Sequence, residues 1–127
     1  MKFSELSSLP FVHLCAGDVP NMPQYRGTKK VGLSLTQEDE WHIRHDITKA
    51  MPIAENTVDI YQSEDVFEHI EYEKLPGIVN EIYRTLKKGG LFRLSVPDYR
   101  CDILYNRSLR DENGNIVYDP LGGGKYR

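Results

Sequence analysis

Two short segments hold the residues best suited to chemistry. The first, Cys15-Ala16-Gly17-Asp18-Val19-Pro20, follows an apolar run and is built of small residues that let a ligand approach the main chain. Its Asp18 carboxylate is suited to accept hydrogen bonds or to pair with a cation. A single glycine is far weaker than a three-glycine dinucleotide fingerprint, and the same residues also describe a plain tight turn. The second segment gathers Ser63-Glu64-Asp65 and then Glu68-His69. Asp65 or His69 is suited to take a proton from a hydroxyl or an amine as a general base. Ser63 followed by two carboxylates equally describes a helix cap, and His69 a half-buried structural residue. Trp41 and the eight tyrosines read first as core or rim residues, with Tyr61 and Tyr99, near strands four and five, also placed to line a pocket. His13, His42 and His45 show no metal-ligand spacing, and Cys15 and Cys101 form no CxxC pair, so no metal site and no disulfide framework is expected.

A site of this kind needs a frame. Phe11 to Cys15, Lys30 to Leu35, Trp41 to Ile47, Thr57 to Gln62 and Leu91 to Val96 read as five short strands, being apolar or β-branched runs bounded by turn residues. Val19 to Thr28, with its prolines and glycine, reads as a loop. The strongest helix signal covers Glu73 to Lys88, where Leu75, Ile78, Val79, Ile82, Tyr83 and Leu86 form one apolar stripe. Pro76 falls in its first turn, and Lys87-Lys88-Gly89-Gly90 offers positive charge at the C-terminal end and a glycine stop. About five residues separate the second and third strands, whereas a parallel crossover takes a dozen or more, so the third strand is expected to be rudimentary or an edge.

Strands followed by a strand-helix-strand unit predict an open α/β sheet, mostly parallel, which binds ligands beyond the carboxyl ends of its strands where the strand order reverses. Beyond Asp98 the signal thins to a short helix over Tyr99 to Ser108, a hairpin turn at Asn113-Gly114 and a flexible Gly122-Gly123-Gly124. One domain over residues 1–127 is expected, with a core over 11–98 and a tail over 99–127 that serves as lid, linker or unfinished C-terminal part.

The 127 residues are 39% hydrophobic and 28% charged, with a net charge of −3 and scattered Lys and Arg, which speaks against nucleic acid as partner. No apolar run approaches the roughly 20 residues that span a bilayer, and Met1 to Pro10 lacks the pattern of a secretory signal. A cytoplasmic protein with no membrane partner is the expectation; the oligomeric state is not encoded in any pattern found.

Taken in order, these segments resemble the class I methyltransferases, especially the compact members related to the methyltransferase type 11 group. Val12-His13-Leu14-Cys15-Ala16-Gly17-Asp18 stands where that family has its glycine-rich first motif. Arg44-His45-Asp46-Ile47 with Met51-Pro52-Ile53 is similar to its acidic residue and the turn after it. Asn56 to Tyr61 resembles the fourth strand, and Val66-Phe67-Glu68-His69-Ile70 the recurrent Glu-His helix. Glu81 to Leu91 and Ser95-Val96-Pro97-Asp98 resemble the last helix and fifth strand, so the resemblance covers about residues 11 to 98.

The resemblance implies a Rossmann-like three-layer sandwich with a mostly parallel central sheet, with or without its last strands, that binds S-adenosyl-L-methionine and methylates an O or N of a small-molecule acceptor. It implies a cofactor set of Cys15, Ala16, Gly17, Asp18, Ser34, Asp46, Ile47 and Ser63, with Gly17 against the methionine part, Ser34 against the ribose and Asp46 and Ile47 around the adenine. Asp65 and His69 fall on the acceptor side as candidate bases. His13 replaces the family's acidic residue, Cys15 its first glycine and Ser34 the carboxylate at the end of strand two. Exchanging a charge-assisted pair for a hydroxyl removes on the order of 1.5 to 3 kcal/mol of binding. The alternative reading is a methyltransferase-like binding or structural module without catalysis.

Overall fold

The computed structural model describes residues 1–19, 29–98, 100, 106 and 108–118. The expected loop over Val19 to Thr28 lies, beyond Val19, outside the described residues, as do most of the expected helix over Tyr99 to Ser108 and all of the Gly122–Gly124 triplet. The five apolar runs all form strands: β1 (His13–Ala16), β2 (Lys30–Ser34), β3 (His42–Arg44), β4 (Val58–Glu64) and β5 (Leu86–Ser95). They pair in parallel throughout, in the order β3-β2-β1-β4-β5. β3 is the short edge strand expected, three residues long, and it pairs in parallel with β2 although only residues 35–41 join the two. Strand order reverses at β1, which places a ligand crevice beyond its carboxyl end.

Period-two alternation divides the sheet into two unlike faces. On one, Leu14 lies between Val31 and Tyr61, and Ala16 between Leu33 and Ser63. Ile78 and Ile82 of the helix α1 (Leu75–Thr85), Phe67 and Leu6 join this buried core. On the other face, His13 lies between Lys30 and Ile60, and Cys15 between Gly32 and Gln62.

The helix ends at Thr85, three residues before the expected Lys88. The Thr85 hydroxyl donates back to the carbonyls of Glu81 and Ile82 at 2.9 and 3.2 Å, and Leu86 turns extended at φ −66, ψ 137 to pair with Val58. The lysine–glycine run is therefore not a helix stop. It opens β5 as a bulge, since Val58 pairs with Leu86 and Ile60 with Leu91, and Gly89 absorbs the excess at φ +81. Lys87 spends its charge on Asp59, 3.0 Å away, rather than on the helix end.

The resembling segments outside the sheet meet in one clamp. Arg84 donates to the carbonyls of Met51 and Ile53, each at 2.9 Å, while Glu81 accepts the Met51 amide at 2.7 Å and pairs with Arg84. α1 is thus bolted to the turn that follows β3. After Asp98, Leu109–Arg110 (β6) and Ile116–Tyr118 (β7) form a separate antiparallel ribbon around Gly114, and no later strand joins the main sheet among the described residues. Among those residues no helix is long and apolar enough to cross a membrane.

Candidate active site

A cavity of about 510 Å³ opens at the carboxyl ends of the strands, within the usual range for small-molecule sites. Six of the sequence-predicted residues line it: Gly17, Asp18, Ser34, Asp46, Ile47 and His69. Its apolar lining comes from Leu33, Leu35, Ile47, Val66 and Ile70. A second cavity, about 260 Å³, is lined by Cys15, Ala16, Asp65 and also Asp18. The structure therefore does not bring Cys15, Ala16 or Asp65 to the larger cavity, and Ser63 lines neither, its side chain lying fully buried between Ala16 and Leu94.

Each lining residue has a structural cause. Gly17 closes β1 at φ +84, its amide donating to the Leu33 carbonyl at 2.9 Å, so that the turn after β1 is drawn over β2. Ser34 ends β2, and its Oγ accepts the amides of Thr36 and Gln37 at 3.2 and 2.9 Å. With both lone pairs engaged, the hydroxyl has only its proton to offer a ligand. Asp46 accepts the amide and hydroxyl of Thr48 at 2.9 and 2.7 Å, and these bonds hold its carboxyl below the usual range, so it stays anionic.

His69 closes a three-residue 3-10 turn, Phe67–His69, which is all that forms of the expected Glu-His helix. The helix-cap reading of Ser63 and Glu64 does not hold, because both belong to β4 and Glu64 pairs with Arg93. Asp65 follows at φ +53, its amide bonded to the Ser95 carbonyl. Tyr61 is a core residue stacked edge-on against Phe92 rather than a pocket residue, and Tyr99 lies outside the described residues.

Two residues named in the sequence received no role from it. Glu68 has a side chain only 2% exposed, with no hydrogen-bond partner for either carboxylate oxygen and His69 Nε2 at 3.5 Å; burial pushes its carboxyl up. His42 is buried and bonded at both ring nitrogens. Neither carries a local signal, because both depend on what the fold packs around them. Burial also pushes the Cys15 thiol up to about 11, which makes it a protonated, weakly nucleophilic group.

The donor set fits S-adenosylmethionine. Asp18, Asp46 and Glu71 supply negative charge for a cationic ligand, the branched aliphatic side chains suit a flat base, and a Cβ at Gly17 would crowd Val66 at 3.3 Å. The family model of the methyltransferase domain matches residues 21–94, from ahead of β2 into β5. No curated protein matches the chain. The parallel sheet, the crevice at its reversal point and this match together make the chain a member of the methyltransferase domain family, the class I S-adenosylmethionine-dependent methyltransferases.

Proposed function

We propose that the chain binds S-adenosyl-L-methionine in the larger cavity and transfers its methyl group to an O or N of a small-molecule acceptor. The observation that carries this is the convergence of Gly17, Asp18, Ser34, Asp46 and Ile47 on one crevice at the strand ends. When bound, the cofactor supplies an already electrophilic methyl group. The residues then have to align and to manage charge. Gly17 and Asp18 hold the amino-acid end, Ser34 donates to a ribose oxygen, and Asp46 with Ile47 flanks the base. His69, on the rim, accepts the acceptor's proton; Asp65 faces the smaller cavity and is the weaker candidate. A reducing, cytoplasmic setting suits the free, buried Cys15.

The second reading, a binding module without catalysis, draws on Ser34, whose acceptor capacity is spent on its own turn. Calorimetric titration with S-adenosylmethionine and S-adenosylhomocysteine separates the two. Saturable binding at micromolar levels is expected, and Ser34→Asp, which adds a carboxylate able to serve both the turn and the ribose, should tighten it about tenfold. No heat from a folded protein at high ligand concentration would leave the module reading standing.

A further inference from the structure

The turn that closes β1 is fastened from the far edge of the sheet. The amide of Val19 donates to Nε2 of His42 at 2.9 Å, and Nδ1 of the same ring lies 2.9 Å from Asp39 Oδ1. Since Nε2 accepts, the ring proton must sit on Nδ1 and be donated to the carboxylate, which defines a neutral imidazole in one tautomer. The imidazole is 3% exposed and its bond to Val19 is buried, while the Asp39 carboxylate on its other side reaches solvent.

The space for this arrangement comes from Gly32. A Cβ there would stand 2.7 Å from the Gly17 carbonyl oxygen, 2.7 Å from His42 Cδ2 and 3.1 Å from Val19 Cγ2. The imidazole, the Gly17 carbonyl and the Val19 side chain thus converge over one glycine of β2. Among the described residues, the Asp39 carboxylate faces the ring, and the Met1 ammonium donates to the carbonyls of Asp39 and His42. The Trp41 amide and His42 hold the Asp39 carboxyl below its usual range, so the ring faces a carboxylate.

We propose that His42 is a positioning residue for the cofactor turn: its Nε2, by accepting the Val19 amide, holds in place the turn that carries Gly17 and Asp18 into the cavity wall. This rests on the reading of the larger cavity as the cofactor site, because His42 itself does not line that cavity and acts through Val19. The consequence is a cofactor affinity that depends on a side chain 23 residues away in sequence.

Two variants test it. His42→Gln presents a non-titrating amide oxygen toward Val19, while His42→Phe fills the space without an acceptor. In the cofactor-free protein, hydrogen exchange at the Val19 amide should be slow in the native chain and in His42→Gln, and at least tenfold faster in His42→Phe. In calorimetry, the affinity for S-adenosylhomocysteine should be similar in the native chain and His42→Gln and about tenfold weaker in His42→Phe. Equal protection of Val19 in all three proteins, or equal affinity in all three, overturns the proposal. Should His42→Phe fail to fold, His42→Leu, smaller and equally without an acceptor, makes the same comparison. Val19 protection that depends on His42 in a protein that binds no cofactor at any pH would refute the cofactor reading and leave the fastening in place.

Discussion

Glu68 shows how much one side chain can cost where it is placed. Its carboxyl is buried without a hydrogen bond, so ionising it is opposed by desolvation, and its folded pKa lies above the unfolded value. The sign follows from linkage: the folded state binds the extra proton, so this group weakens the fold as pH rises through its folded pKa and costs nothing below the unfolded value of about 4.3. Glu68→Gln is therefore expected to stabilise the protein by about 1 kcal/mol at pH 7, a gain that fades toward pH 4. Urea midpoints of both proteins at the two pH values measure it, and a destabilised variant at pH 7 would show that the carboxylate has a partner that holds it charged. The same residue lies against His69 on the cavity rim, which gives a reason for keeping a costly group.

Among the elements, α1 carries the most specific connection. Its Arg84 and Glu81 grip the main chain of Met51 and Ile53, and Met51 is itself a core residue. Replacing Arg84 by Met keeps the aliphatic stem but leaves two carbonyls and a carboxylate without their donor, a loss of about 2 kcal/mol. Thermal melting should register it, and a change near zero would mean that water replaces the guanidinium at no cost. The five strands were legible in the sequence because each is a short run bounded by turn residues; that β3 pairs in parallel with β2 was not, since only residues 35–41 join them. The end of α1 was not. Leu86 continues the helical stripe yet is used by β5, and a glycine pair reads alike as a helix stop or a bulge until the pairing of Val58 is known. For the candidate site, chain order placed Gly17, Asp18, Ser34, Asp46, Ile47 and His69 near one crevice. It could not foresee that Ser63 would be sealed inside, nor that residues 19 and 42 would meet.

At the scale of the whole molecule, the sheet is tied together by carboxylates. Asp59 accepts the Val12 amide at 2.8 Å and Lys87 at 3.0 Å, joining the entry of β1 to β4 and β5, and these bonds hold its carboxyl below the usual range. Glu81, held low by Arg84, Asp46 by Thr48 and Asp39 by the Trp41 amide share that direction. Groups with depressed folded pKa values stabilise fully above their unfolded values, about 4, and lose that contribution as pH falls through the folded ones. A urea midpoint falling steeply below pH 4 is the expected profile; a midpoint unchanged at pH 3 would mean that these bonds add nothing net.

β1 occupies the middle of the sheet although it comes first in the chain, with β2 on one side and β4 on the other. A ribosome delivers Leu14 long before Tyr61, its cross-strand neighbour, so during synthesis one flank of the central strand waits through the making of β2, β3 and the turn at Met51. Parallel pairing of this kind closes large loops before it is rewarded. The nascent chain therefore passes through a stage in which its most apolar strand is half paired, and it is there, rather than in the finished molecule, that chaperones would have most to protect.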